Sequence, residues 1–304
     1  MMGEGASMKK LSLCILVCLL SLSLFGQAQK EKTCEGATYT DSIGNTVRLS
    51  PVSKVISLGP NVTETICALG AEEMLIGRTD YCNYPQSIVN VPSVGSLFNP
   101  SLETIIAMKP DMVIASSLID DKILTKLKDA GIQVLCINKQ QSFEGTYEMI
   151  SDIGLVIGKI KEAKTLVEQM KAKAASVVQK YKGYPLVSVY VAISYGSFDS
   201  TATGDTFISE MIELCHATNI AKDAVGWIYN KEKLITSNPQ VIIITPDEGQ
   251  SRDEALAQWK STKPYSDLEG KVMVMDADLL SRQGPRSADA LRELASLIHS
   301  EAAL

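Results

Sequence analysis

Leu102-Glu103-Thr104-Ile105-Ile106-Ala107-Met108-Lys109-Pro110-Asp111-Met112-Val113-Ile114 is echoed by Lys231-Glu232-Lys233-Leu234-Ile235-Thr236-Ser237-Asn238-Pro239-Gln240-Val241-Ile242-Ile243. In each stretch a glutamate near the start of a short helix stands seven residues before a proline, and the proline leads into a β-branched strand. The chain therefore reads as two similar halves. Helix, Pro-containing turn and buried strand are also ordinary α/β joinery, and a glutamate in a first helical turn suits the helix dipole in any protein.

Working outward, each copy sits in a run of alternating strands and helices. Before the first copy come a hairpin over 38–49 around Gly44-Asn45, a strand at 55–58, a helix at 62–69 closed by Gly70, and a strand at 75–77. After it come a strand at 112–115, a helix at 121–130 and a strand at 133–137. The second half repeats the alternation: strands at 186–193, 241–244 and 272–275, with helices at 207–215 and 288–299. Such alternation predicts mostly parallel sheets wrapped by helices.

Between the halves, Lys159 to Lys182 contains neither Gly nor Pro, and its apolar residues recur at three- and four-residue steps. This is one amphipathic helix, long enough to reach from one lobe to the other. The predicted fold is α/β: two lobes with mostly parallel sheets, joined by a single long backbone helix. The expected divisions are 1–28 signal peptide, 29–36 tether, 37–158 N-terminal lobe, 159–182 backbone helix and 183–304 C-terminal lobe. A rigid helix in place of hinge strands predicts little swing between lobes.

The N-terminus reads as an export signal. Lys9-Lys10, the apolar run Leu11 to Phe25 and Gly26-Gln27-Ala28 predict cleavage after Ala28 and an exported mature chain, with residues 1–7 a start-site ambiguity. Cys18 follows Val17 rather than a small residue, so no lipid anchor is expected. The mature region keeps Cys34, Cys67, Cys82, Cys136 and Cys215, an odd number without metal-type spacing, so at least one thiol stays free. The formal net charge is −6, without a basic stripe, which argues against nucleic acid or an anionic membrane surface as partner.

Catalytic chemistry has little to work with. The two histidines, His216 and His299, are expected to be partly exposed structural residues. There is no hydrolase nucleophile elbow, zinc-protease histidine pair, phosphate loop or dinucleotide fingerprint. No enzyme activity, resident cofactor or metal site is expected. An exported cofactor-handling enzyme such as a chelatase would need His or Cys groups converging in the cleft.

Open α/β sheets bind ligands at the carboxyl ends of their strands. The loops there carry Asn61, Tyr81, Phe98 and Ser116 in the first half, and Tyr195, Trp227, Asp247, Arg282 and Arg286 in the second. Aromatics make up only 6% of the chain, yet they recur in these loops. Flat rings with a few polar groups suit a large, rigid, partly apolar ligand, and the arginines suit carboxylates or amide oxygens on it. Each aromatic taken singly also reads as core packing, and Arg286 as a partner within its own loop.

At this point the chain resembles the periplasmic solute-binding proteins of ABC importers for cobalamin, ferric siderophores and haem. The resemblance rests on Lys54–Leu58 through Thr63-Glu64 and Ala68-Leu69-Gly70, Thr79-Asp80-Tyr81 through Tyr84-Pro85, and Val94-Gly95. It continues through Leu102 to Ile114, Gly204–Ile208 with Glu213-Leu214, the Glu232-to-Pro239 unit, and Gly284-Pro285-Arg286. It implies two Rossmann-like lobes with the ligand cleft between them, a periplasmic location, a metal-chelate ligand, a monomer with little movement on binding, and an ABC importer permease dimer as partner, docked through Glu103 and Glu232. By position, Tyr81 and Trp227 match cleft aromatics of the cobalamin branch, and Arg282 and Arg286 fall where siderophore binders place basic residues. A corrinoid is the first expectation, a ferric siderophore close behind, and haem an alternative. The chain departs from the family with Cys215-His216 where a glycine pair is usual, and with Leu97-Phe98 where cobalamin binders carry another tryptophan.

Overall fold

The structure is a computed structural model and describes residues 36–116 and 120–300. The expected signal peptide, nearly all of the expected tether, Cys34 and Ser117 lie outside the described residues. The expected hairpin is present as β1 (Thr38–Thr40) and β2 (Thr46–Arg48), paired antiparallel. Asp41 shapes its turn, its Oδ1 accepting from the N–H of Asn45 at 2.7 Å. The other carboxylate oxygen accepts from Cys136 N at 3.0 Å, which fastens the hairpin to the first sheet.

That sheet holds β3 (Val55–Leu58), β4 (Leu75–Arg78), β5 (Met112–Ala115) and β6 (Gln133–Cys136), all parallel in the order β4-β3-β5-β6. Both central strands are buried on both faces, which is why they read as unbroken apolar runs. Helices α1 (Pro60–Ala68), α2 (Leu102–Met108), α3 (Asp121–Asp129) and α4 (Phe143–Val156) accompany it. The long helix follows as α5 (Ile160–Tyr181), 22 residues or about 33 Å.

The second lobe carries β7 (Val187–Ser194), β8 (Ser200–Thr201), β9 (Ala217–Asn219), β10 (Val241–Ile244) and β11 (Lys271–Val274). The order is β11-β10-β7-β8 with β9 also on β7, and every pairing except β7 with β8 is parallel. Its helices are α6 (Phe207–Leu214), α7 (Lys231–Ser237), α8 (Arg252–Ser261), α9 (Ala277–Ser281) and α10 (Ser287–Ile298).

One apolar core runs unbroken from Val55 and Ile66, through Phe143 and Ile150 of α4 and Met170 and Val177 of α5, to Phe207, Ile212 and Leu291. Separate clusters fill the outer face of each sheet. Gly154 allows the close approach of α4 to α5, because a side chain there would run into Ala163. Across the lobe boundary, Phe143 and Phe207 pack with ring centroids 5.2 Å apart. The Glu210 carboxylate of α6 accepts from Phe143 N at 2.7 Å, capping α4 from the other lobe. The lobes are therefore joined by packed core as well as by α5.

Several elements depart from expectation. Helix α4 was not anticipated: its buried residues Phe143, Tyr147, Met149, Ile150, Ile153 and Val156 cover more than one face, which blurs the helical period. Helix α8 was also missed, although Ser251 and Glu254 form a capping box at its start. The segment read as a loop from Ser281 begins as the end of α9. His299 is buried rather than partly exposed, with Nε2 2.7 Å from Cys215 O and its ring stacked on Tyr181. His216 is half-buried and takes a left-handed φ of 57° directly after α6, at the position where the family's glycine pair would fall.

Candidate functional site

The cleft floor lies where the first sheet ends. A cavity of about 210 Å³ is lined by Pro60 and Asn61 after β3, Ser116 after β5, and Ile137, Asn138 and Lys139 after β6. Met149 of α4 and the second-lobe residues Ser281, Arg282 and Gln283 complete it. Gly59 keeps the floor open, since a Cβ there would collide with the Ser116 hydroxyl. Gln283 ties the lobes together over the cavity, its Nε2 donating to Gln140 O at 2.7 Å and to Ser142 O at 3.0 Å.

The positive charges at this floor are spent within the chain. Arg282 Nη1 donates to Glu64 Oε1 at 3.0 Å and to Asn83 Oδ1 at 2.7 Å, while Nη2 donates to Tyr81 O at 3.0 Å and pairs with Asp278 at 2.8 Å. Arg286 grips the same glutamate bidentately, through Nε at 2.8 Å and Nη2 at 2.7 Å. Its guanidinium also lies 4.2 Å from the Tyr84 ring centroid. Glu64 is a first-lobe residue with a side chain only 2% exposed, so a buried carboxylate is matched by two arginines from the opposite lobe. Burial opposes the Arg286 charge, but the Glu64 hydrogen bonds and charge outweigh it and raise the guanidinium's affinity for its proton. Lys139 is likewise paired, with Asp152 at 2.6 Å.

Aromatic rings stand exposed on loops of both lobes. Tyr81 is 49% exposed and Phe98 82% in the first lobe, and Phe198 is 71% and Trp227 40% in the second. Trp227 is held in the left-handed region, φ 65°, after Gly226 at φ 73°. Its N–H donates to Thr203 Oγ1 at 3.1 Å and its carbonyl accepts from Thr201 N at 2.9 Å. Asp205 receives the Gly226 N–H at 3.0 Å, and the Thr203 hydroxyl, followed by that N–H, holds its carboxyl below the usual range. Left-handed backbone at a bulky residue costs about 1–2 kcal/mol, and here a network of polar contacts holds a large ring at the surface in spite of it.

The expected site residues distribute unevenly. Asn61, Ser116 and Arg282 line the floor cavity. Tyr81, Phe98 and Trp227 lie exposed on flanking loops, and Asp247 is exposed after β10 with its N–H bonded to Gln250 Oε1. Arg286 instead lines a different cavity of about 370 Å³, with Tyr84, Cys67, Met170 and Lys173, beside α5. Tyr195 is a correction: it is buried, packs edge-on to Trp259 at 4.9 Å, and donates its hydroxyl to Ala255 O at 2.9 Å. It is a core residue of the second lobe, drawn in by an aromatic pocket that α8 supplies. The sequence reading overlooked Lys139 and Met149; for Lys139 the signal was its place two residues after the strand expected at 133–137.

The duplicated unit is a structural duplication as well. Helices α2 and α7 are each seven residues long, capped by Ser101 and Asn230 side chains, and carry Glu103 and Glu232 in their first turns. Both end on a left-handed residue, Lys109 at φ 49° and Asn238 at φ 37°, before the proline and a buried strand. Both glutamates are exposed and, among the described residues, neither is in an ion pair. Also among the described residues, no helix is long and apolar enough to cross a membrane, and no three His, Cys, Asp or Glu side chains gather as a metal site.

Two open α/β lobes linked by a spanning helix, with a polar cavity at the strand ends lined from both lobes, make a two-lobed solute receptor. A family model for periplasmic binding proteins matches residues 55–275, and the chain belongs to that family. Among its relatives is the uncharacterised ABC transporter substrate-binding lipoprotein YvrC of Bacillus subtilis, 33% identical over 90% of this chain and 88% of that protein. The vitamin B12-binding protein of Vibrio parahaemolyticus is 27% identical, covering 82% of this chain and 90% of its own length. A periplasmic solute-binding protein of Staphylococcus epidermidis, described as a candidate iron-binding protein, superposes with a TM-score of 0.72 at 28% identity, over 83% of this chain and 100% of that one.

Proposed function

We propose that the chain captures a metal chelate between its lobes and delivers it to the permease dimer of an ABC importer, and that the chelate is a corrinoid. The observation that carries this reading is the set of exposed rings at Tyr81, Phe98, Phe198 and Trp227, on loops of both lobes, together with a cavity lined from both lobes whose cations are already paired. Covering a half-exposed aromatic ring gains about 2 kcal/mol, so several rings closing on one broad apolar face supply affinity while polar groups choose orientation. The B12-binding relative supports the corrinoid. A ferric siderophore is the second reading, favoured by the iron-binding description of the Staphylococcus epidermidis neighbour.

The paired, exposed Glu103 and Glu232 are the docking contacts for the permease, one on each lobe, held at a fixed separation by α5 and the shared core. The chain is exported by residues 1–28 and acts as a monomer without catalysis. It is released after Ala28 rather than lipid-anchored, although the YvrC relative bears the name lipoprotein. Intact mass spectrometry of the secreted product decides this: a chain beginning at Gln29 is expected, and an acylated cysteine overturns it.

The ligand reading is tested by equilibrium dialysis of the chain from Gln29 onward against cyanocobalamin, a ferric trishydroxamate and haemin. One-to-one retention of cyanocobalamin at submicromolar concentration is expected. Retention of haemin alone would refute the corrinoid assignment.

A further inference from the structure

The polar lining of the cleft floor has a consistent character. Its two cationic side chains, Arg282 and Lys139, are both paired with carboxylates of the same chain. What remains for a ligand is uncharged: the carboxamides of Asn138 and Gln141, the Ser116 hydroxyl, the Oε1 of Gln283, whose Nε2 is spent on Gln140 O and Ser142 O, and Asn61, held by Val62 N and a weak contact to Met149. Carboxamides donate and accept hydrogen bonds without carrying charge, and they complement other amides.

We propose that Glu64 is a specificity-determining residue: by occupying Arg282 and Arg286 from the opposite lobe, it leaves the cleft floor neutral and selects chelates with an uncharged, amide-rich rim over chelates that carry carboxylates. The inference rests on the chelate reading above and narrows it. A ligand carboxylate that took Arg282 for itself would strip one of the three hydrogen bonds from Glu64, whose side chain is 2% exposed, and leave that buried charge to Arg286 alone, a loss that the new contact must first offset. A carboxylate that left the pair intact would give up its water to face an arginine whose two Nη groups already have four acceptors. An amide-rimmed ring meets neither cost.

The test compares neutral with anionic ligands, in one pair on the same corrin ring. Dicyanocobinamide, whose rim carries amides, and dicyanocobyrinic acid, whose rim carries carboxylates, are titrated into the chain from Gln29 onward, beside a neutral ferric trishydroxamate and ferric citrate. The wild-type chain is expected to bind the neutral member of a pair at least tenfold tighter than the anionic one. Glu64→Gln, which takes the shared carboxylate from both arginines and leaves two guanidinium charges against Asp278, is expected to narrow that ratio at least tenfold. Asp152→Asn, which frees Lys139 at a less buried position, is expected to narrow it in the same direction and serves if Glu64→Gln does not fold. Equal or tighter wild-type binding of an anionic member overturns the role of Glu64 while leaving chelate capture intact. If none of the four ligands binds, the chelate reading itself falls, and this inference with it.

Discussion

Glu64 and Arg286 form a two-pronged ion pair that crosses the lobe boundary, with Arg286 Nε 2.8 Å from Oε2 and Nη2 2.7 Å from Oε1. Arg282 adds a third bond to the same carboxylate at 3.0 Å. Removing the carboxylate leaves two arginine side chains, 12% and 21% exposed, without their shared partner. Glu64→Ala is therefore expected to lower the unfolding free energy by about 3–5 kcal/mol, read from urea denaturation. A loss under about 1 kcal/mol, the size of a surface pair, would show that the cluster does not hold the lobes together.

Trp227 separates ligand binding from stability. Its left-handed backbone, φ 65°, suits glycine and strains tryptophan. Trp227→Gly is expected to leave the thermal midpoint unchanged or raised, while ligand affinity falls by about tenfold or more, the value of about 2 kcal/mol of lost ring burial. A large drop in the midpoint would make the ring a structural anchor instead.

Glu103 and Glu232 predict the opposite separation. Both are exposed on short helices and away from the floor cavity. Replacing both by Ala should abolish ligand uptake in cells that depend on this receptor, with ligand affinity within about threefold of wild type. Each change removes a favourable helix-dipole contact of about 0.3–1 kcal/mol, too little to unfold the chain. Uptake that survives the double replacement would refute the docking role.

Alkaline pH should weaken the fold. Burial is the main cause that pushes the Cys67 thiol up to about 12, Cys136 to about 11, and the Tyr147 and Tyr190 hydroxyls to about 12. These groups stay protonated in the folded chain while the unfolded chain releases the same protons from about pH 8.5–10. Above that range the folded state holds more protons than the unfolded state, so stability falls as pH rises towards the folded values. The urea midpoint is expected to decline steadily from about pH 9 to 11; a flat profile would contradict the burial of these groups. Cys67, half-buried beside α5, should also react with a thiol reagent at pH 8 at least ~100-fold more slowly than a free cysteine, because so little thiolate is present.

The parts of the fold set by local pattern were legible in the sequence. The β-branched runs Met112–Ala115 and Val241–Ile244 are buried on both faces and fall where they were expected, and the uninterrupted 159–182 segment forms α5. The site was less legible because its partners are distant in the chain. Arg282 and Arg286 meet Glu64 across 218 and 222 residues, so no local pattern separates an arginine spent on a buried glutamate from one free for a ligand. Tyr195 was misread for the same reason: a tyrosine directly after a strand looks like a cleft residue until Trp259 and Tyr265 close over it. Helix α4 was hidden because a helix wedged between two lobes is apolar on several sides.

The central claim, that a chelate is captured against the exposed rings of the two lobes, is tested most directly by tryptophan emission. The chain has two tryptophans; Trp259 is 1% exposed in the second-lobe core and Trp227 is 40% exposed. Cyanocobalamin added to the chain from Gln29 onward should quench emission with a submicromolar midpoint at one ligand per chain, and Trp227→Phe should remove most of the quenching. An unchanged spectrum with cyanocobalamin, a ferric trishydroxamate and haemin alike would contradict the account.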